Sequence, residues 1–320
     1  MLVRTGGTGV VVTRRSPKPQ LEVRFLGAPL GHRLAAMSSR SEIFAEDVLE
    51  GRVAIVTGGG TNLGRHAAAE LIACGAHVVI AGRRVEVLEA AQEKLGERCS
   101  IAQGDIRDPE AARAIVQAAL DRHGRLDVLV NNAGGQYFVP AESITSKGWN
   151  AVSRLNVGGT MTMTEAAAEL AFRVGGKSQG GTIINVTVSP HQGMPAMAHT
   201  GAARAAVESL TKELAARWAG ESINVIAAAI GRFDTESLRK YPDVVWQQAA
   251  QSVPLQRLGT MQEFGWLVAM LSTPLGAQLS GTVVSLDGAC DNWTGPWPPQ
   301  HLGGDEGNVP TETRKPAPAG

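Results

Sequence analysis

The chain predicts an α/β fold: a single doubly wound, parallel seven-stranded sheet with helices on both faces. Three observations carry that expectation. Short apolar runs alternate with helical patterns over residues 51–286, a glycine-rich turn joins the first run to the first helix, and 320 residues with 43% hydrophobic content can bury one large core. Strands separated by crossover helices lie parallel, and ligands of such sheets collect beyond the strand C-termini.

Taken in order, Gly51–Val56 reads as the first strand and Leu63–Cys74 as the first helix. His77–Ala81 is the second strand, followed by a helix over Val85–Leu95. Ser100–Gln103 is the third, and Pro109 opens a helix that runs to about His123, since proline is well suited to a first helical position. Asp127–Asn131 is the fourth strand, a long helical stretch follows, and Thr182–Val186 is the fifth. Ala203–Ala219 is an amphipathic helix, and Ile223–Ala227 and Thr282–Leu286 complete the sheet. The folded domain spans residues 41–290.

The two ends read differently. Residues 1–40 hold seven arginines and lysines against the single acid Glu22, and form a basic, disordered leader. It is either a mitochondrial targeting segment or an extension upstream of a start at Met37; it lacks the apolar run of a secretory signal or a membrane span. Residues 291–320 are a proline-rich tail that cannot be helical, with Trp293 and Trp297 available to anchor its first part. Equal numbers of acidic and basic residues, 30 of each, give no general field for nucleic acid or a membrane surface. Cys74, Cys99 and Cys290 are not spaced as metal ligands and fit reduced thiols of the cytoplasm; the expectation for metal is none.

Chemistry enters at Thr57-Gly58-Gly59-Gly60-Thr61-Asn62-Leu63-Gly64, between the first strand and its helix. Amides of a first helical turn lack intrahelical partners and the helix dipole adds positive charge, so this turn suits a dinucleotide pyrophosphate. About twenty residues on, Gly82-Arg83-Arg84 stands where an acid would bind a ribose 2′-hydroxyl; arginines there suit the 2′-phosphate of NADP(H). Asp105 and Ile106 follow the third strand, where the carboxylate could accept an adenine amino group. Asn131-Asn132-Ala133-Gly134 ends the fourth strand beside the expected nicotinamide ribose.

These motifs, together with Asn156, resemble the short-chain dehydrogenase/reductase family over about residues 50–290, which implies a Rossmann-type fold. Gly134-Gly135-Gln136, Pro140-Ala141-Glu142, Ser146-Lys147-Gly148-Trp149 and His199-x-Gly201-Ala-Ala-Arg204-Ala205 are similar to the peroxisomal-type trans-2-enoyl-CoA reductase branch. Bacterial citronellol and citronellal dehydrogenases are similar over the same stretches. Most of the family carries Tyr-x-x-x-Lys at the start of the helix after the fifth strand; here those positions hold Thr200 and Arg204. Threonine is too weak an acid to replace a phenol, and arginine remains charged and cannot shuttle protons. Reducing a ketone leaves an alkoxide that needs a proton at once. Reducing a conjugated carbon–carbon double bond leaves an enolate, which hydrogen-bond donors stabilise.

The resemblance therefore implies NADPH-dependent reduction of an enoyl thioester, with Thr200, Thr187 and Arg204 around the oxyanion. Alcohol or aldehyde oxidoreduction, on citronellol-like or 3-oxoacyl substrates, and a weakly catalytic nucleotide-binding role are the alternatives. Thr187 and Ser189 both stand near the place of the family's serine, and His199 and His191 offer protons near neutral pH. Asn156 matches the asparagine that orders a helix carbonyl and a water, and Arg204 and Ile230 belong to the cofactor set. The family's Pro-Gly after the sixth strand is placed at Ala228-Ala229. Gly135, Met194, Met197 and Met261 suit a broad apolar pocket. The resemblance also implies a homotetramer, paired through helices around residues 145–174 and 200–219 and through the last strand.

Overall fold

The computed structural model describes residues 40–189, 191, 193–194, 196–236, 238 and 248–292. The leader up to residue 39 and the tail from Trp293 on, Trp297 included, lie outside those residues; the first tail residues, Asp291 and Asn292, form a 3-10 turn with Cys290, where the sequence reading allows no helix.

Seven strands form one parallel sheet: β1 (Val53–Thr57), β2 (His77–Gly82), β3 (Cys99–Gln103), β4 (Val128–Asn131), β7 (Gly181–Val188), β8 (Ile223–Ile230) and β9 (Val283–Leu286). Their order is β3-β2-β1-β4-β7-β8-β9, so the winding reverses between β1 and β4. A crevice opens at such a reversal beyond the strand C-termini. The inner strands are near-continuous runs of buried valine, isoleucine and alanine, as a sheet covered on both faces requires.

The helices are α1 (Asn62–Ala73), α2 (Val85–Leu95), α3 (Pro109–His123), α4 (Ser146–Ser153), α5 (Gly159–Ala167), α6 (Ala198–Trp218) and α7 (Met261–Ser272). Asp108 caps α3 by accepting from the Glu110 amide, and Gly124 closes it at φ 72°. Among the described residues no helix is long and apolar enough to cross a membrane.

The structure departs from the sequence reading in four places. A small hairpin, β5 (Arg173–Val174) with β6 (Lys177–Ser178), interrupts the stretch before β7. Single π-helical turns at Arg154–Gly158 and Ala168–Phe172 divide the long helical stretch. The sequence reading assigns no element to the β8–β9 crossover, yet α7 is there, closed by a reciprocal Thr260–Glu263 capping box. Finally, α6 begins five residues earlier than its apolar pattern suggests. Its buried face carries Thr200, Arg204, Glu208 and Thr211 at four- and three-residue spacing, so apolar periodicity under-reports it.

Candidate active site

A cleft of about 960 Å³ lies along the C-terminal ends of the strands. At one end it is lined by Arg83, Arg84 and Asp105, at its centre by the glycine turn and Asn132–Gly134, and at the other end by Tyr137, Phe138, Leu155, Met194 and Met197.

The glycine turn is built to receive a ligand closely. Gly58 sits at φ +66°, and Asn62, at φ 44°, takes a left-handed conformation that asparagine tolerates. A Cβ on Gly64 would lie 2.4 Å from the Gly58 carbonyl oxygen and 2.5 Å from Asn132 Nδ2. The N-cap residue of α1, Thr61, makes no side-chain cap, which leaves the first-turn amides open to the cleft. Leu63, Ile106 and Ile230 also line it. These features fit a dinucleotide pyrophosphate, and the exposed, cleft-lining Arg83 and Arg84 fit a 2′-phosphate.

Thr57 acts from behind this turn, and Asn132, which lines the cleft, is tied to it. The buried Thr57 hydroxyl donates to the Val130 carbonyl at 3.2 Å and accepts from the Asn132 and Ala133 amides at 3.0 Å. Asn132 Nδ2 donates to the Thr57 carbonyl at 2.9 Å. The two residues clamp the ends of β1 and β4 together across the reversal. Thr57 does not line the cleft, so its assignment as a cofactor contact is corrected to a supporting role.

Asp105 is likewise already engaged. Arg107 donates to both carboxylate oxygens, with Nε at 2.9 and 3.1 Å, and this hydrogen bonding holds the carboxyl down at about 2. The sequence reading missed Arg107, which lies only two residues away.

Asn156 is fully buried in its π turn. It accepts from the Gly135 amide at 3.3 Å and donates to the Gly135 and Val152 carbonyls at 2.8 and 2.9 Å. The side chain does not line the cleft. Its two bonds to Gly135 tie the Gly134–Gly135 loop to the helical stretch.

Arg204 is the centre of the site. It is 7% exposed, lines the cleft, and donates from Nη1 to the Val186 carbonyl at 2.6 Å. Among the described residues no carboxylate is ion-paired with it, and its Nε has no partner. Burial lowers its pKa to about 10, which still leaves it charged at neutral pH. Gly134 is required opposite it, because a Cβ there would lie 2.4 Å from Nη2 and 2.7 Å from Asn156 Oδ1. A buried cation without a counter-charge is costly unless a ligand supplies one.

Two neighbours assigned to catalysis are not in the cleft lining. Thr200 is completely buried and its hydroxyl has no partner. His199 is also completely buried, with neither ring nitrogen bonded and its ring edge-on to Tyr137 at 4.5 Å. Both face the packing of the first α6 turn, because the helix starts earlier than its apolar pattern implies. Thr187 does line the cleft, and its hydroxyl donates to Glu208 Oε1 at 2.8 Å. Ser189 lines it too, with its hydroxyl bonded to Asp287.

The Pro-Gly position is also corrected. Ala228 and Ala229 lie inside β8, buried and paired with Val186 and Thr187 of β7. The residues that end the strand at the cleft are Ile230 and Gly231, so the glycine is kept and only the proline is exchanged. Met261 does not line the cleft; it is buried at the start of α7. Sequence reasoning also missed Tyr137, a phenol at the cleft mouth packed so closely on Gly148 that a Cβ there would meet its hydroxyl. Its place outside Tyr-x-x-x-Lys hid it.

Cys74 and Cys99 are buried, and burial pushes both thiols up to about 12, so neither is a nucleophile. Among the described residues no group of His, Cys, Asp and Glu is arranged to hold a metal.

The short chain dehydrogenase family model matches residues 52–244. The peroxisomal 2,4-dienoyl-CoA reductase [(3E)-enoyl-CoA-producing] of Pongo abelii is 34% identical over 254 residues, covering 77% of this chain and 86% of that protein. Among solved structures, the citronellol catabolism dehydrogenase (AtuB) of Pseudomonas aeruginosa PAO1 is 34% identical, with a TM-score of 0.69 and coverage of 78% and 98% of the two chains. RhlG of Pseudomonas aeruginosa, in its NADP active-site complex, is 30% identical with a TM-score of 0.71, covering 78% of this chain and all of that one (100%). Matched by the family model over residues 52–244 and by relatives 34% identical over more than three quarters of its length, the chain belongs to the short-chain dehydrogenase family.

Proposed function

We propose that this protein is an NADPH-dependent reductase of conjugated enoyl thioesters, the 2,4-dienoyl class included. The observation that carries the reading is the buried, carboxylate-free Arg204 on the cleft floor, in a chain whose Tyr position holds Thr200. Such a site stabilises negative charge better than it donates protons.

Bound NADPH supplies the hydride. The residues of the chain do the remaining work. The α1 turn amides hold the pyrophosphate, Arg83 and Arg84 hold the 2′-phosphate, and Met194, Met197, Leu155 and Phe138 exclude water around an acyl chain. Arg204 balances the charge that develops on the thioester oxygen. For a 2,4-dienoyl substrate, reduction at the far end of the conjugated system leaves a dienolate, and a proton at the α-carbon completes a 3-enoyl product. That product class is the one in the name of the Pongo abelii relative. The kinship with a citronellol catabolism dehydrogenase keeps alcohol oxidation as the second reading.

The test is anaerobic turnover with matched thioesters. NADPH should be consumed faster with a trans-2-enoyl or 2,4-dienoyl thioester than with the 3-oxoacyl thioester, and NADPH should bind at least about tenfold tighter than NADH. Faster turnover of the 3-oxo substrate or of citronellol gives the second reading the case.

We further propose a homotetramer in the cytoplasm. β9 ends the sheet and is only partly buried, which leaves an apolar edge that a second copy would cover. Light scattering at micromolar concentration should give four chains; a monomer overturns this.

A further inference from the structure

The cleft described above has a floor that holds negative charge but, at positions 200 and 204, nothing that releases a proton. Behind that floor runs a chain of hydrogen bonds. Thr187, a fully buried residue of the cleft wall, donates its hydroxyl to Glu208 Oε1 at 2.8 Å. The same oxygen meets His191 Nε2 at 2.9 Å, and the opposite ring nitrogen of His191 meets Asp291 Oδ2 at 2.5 Å. Glu208 is 8% exposed, whereas the His191 side chain is 33% exposed and reaches solvent. The four groups come from β7, the loop after it, α6 and the segment after β9.

We propose that Thr187, Glu208 and His191 form a proton relay that takes the place of the missing tyrosine in supplying the substrate half of the cleft. It rests on the reduction reading only for its direction.

Geometry gives each member a part. Glu208 Oε1 is shared between the hydroxyl and the imidazole, so one oxygen receives a proton from Nε2 and passes one to Thr187 Oγ1. In reduction, the α-carbon of the enolate forms a C–H bond as the Thr187 O–H breaks. In the same motion Thr187 Oγ1 takes from the ionised Glu208 Oε1 the proton that this oxygen receives from His191 Nε2, so no free alkoxide forms and Glu208 ends as it began. The imidazole ends neutral and recovers its proton from water at its exposed edge. Thr187 is the catalytic residue here, and Glu208 and His191 position and recharge it.

The surrounding charges favour a protonated His191. Burial pulls the imidazole down, but hydrogen bonds to Asp291 and Glu208 outweigh it and raise its pKa above the ordinary histidine value. The other charged groups around the relay are Asp287, which accepts from the Asp291 amide at 2.8 Å and from Ser189, Arg232 beside Cys290, and Arg204 one turn before Glu208.

The sign of the pH effect follows. A relay charged by the imidazolium works below the raised pKa of His191 and fails as pH rises through it, so kcat has an alkaline limb displaced above the ordinary histidine range.

The experiment compares kcat–pH profiles and NADPH affinity for Glu208→Gln, His191→Asn, Thr187→Ser, Thr187→Val and Tyr137→Phe, with a 2,4-dienoyl thioester. Glu208→Gln should lower kcat about a hundredfold and move the alkaline limb to lower pH, with NADPH affinity kept within about twofold. His191→Asn should abolish that limb, Thr187→Ser should keep most activity, and Thr187→Val should lose it. A Glu208→Gln protein with full kcat and an unmoved limb overturns the relay, as does a loss of comparable size confined to Tyr137→Phe. Should Glu208→Gln fail to fold, the partly exposed His191→Asn decides alone by the same limb. If the parent protein oxidises citronellol and leaves thioesters untouched, the reduction reading fails and the relay is read in reverse, with the limb then on the acid side. Turnover of neither substrate overturns both.

Discussion

Arg204→Ala is expected to lower kcat/KM for an enoyl thioester about a hundred- to a thousandfold, the loss typical of a removed oxyanion donor. The guanidinium is held on two sides: Nη1 bonds the Val186 carbonyl at 2.6 Å, and Nη2 lies where a Cβ on Gly134 would be 2.4 Å away. Lysine can reproduce the first contact and not the second, so Arg204→Lys should fall between the parent and the alanine variant. A second variant separates catalysis from folding. Arg204→Met keeps the length and removes a desolvated charge that no carboxylate balances, so it should melt at a higher temperature while remaining inactive. Steady-state kinetics beside a thermal melt read both quantities. Full activity in either the alanine or the methionine variant removes Arg204 from the mechanism, and a methionine variant that loses activity and melting temperature together makes the residue structural.

Gly64→Ala is the second large effect. Its Cβ would lie 2.4 Å from the Gly58 carbonyl and 2.5 Å from Asn132 Nδ2, inside the clamp that ties the glycine turn to β4. One of these partners is backbone and the other is anchored by Thr57, so neither can yield cheaply. The start of α1 has to shift, and with it the amides that face the pyrophosphate. NADPH affinity should fall about a hundredfold, and overpacking of this kind typically costs about 1–3 kcal/mol of stability. Gly158→Ala is the matched control: no atom stands within 4 Å of its added Cβ, and binding should be unchanged. Titration by nucleotide fluorescence checks both variants, and wild-type affinity in Gly64→Ala refutes the role given to that glycine.

The sheet was legible in the sequence because its strands are short apolar runs separated by punctuated helices; α2, Val85–Leu95, and α3, Pro109–His123, carry both their periodicity and their ends in the sequence. The start of α6 was not. A helix that buries Thr200, Arg204 and Glu208 puts polar groups on its inward face, and an apolar pattern cannot report them. The same cause hid the contacts of the site. Glycine turn and arginine pair are local motifs, readable from spacing. The bond between Thr187 and Glu208 and that between His191 and Asp291 join residues 21 and 100 positions apart, which no spacing rule connects. The Pro-Gly position slipped by two residues because β8 is alanine-rich and its end is marked only by the glycine at Gly231.

One interior feature bears on how the chain reaches this fold. Asn131 of β4 and Asn185 of β7 are paired in register, and Asn131 Nδ2 bonds Asn185 Oδ1 at 2.9 Å and the Thr164 hydroxyl at 3.1 Å; Asn185 in turn donates to Thr211 at 2.9 Å. The strand residues before them are apolar, and valine and isoleucine would tolerate a neighbour displaced along the strand. The amides do not. A slip of one residue sends each side chain to the opposite face and strands two buried amides without partners, at about 1–3 kcal/mol each. Parallel strands 54 residues apart in sequence find each other late and through few local contacts, so misaligned pairing is their characteristic error. The asparagine pair acts as a proofreading mark: it adds little to the finished structure that apolar packing would not supply, and it raises the energy of the nearest wrong one.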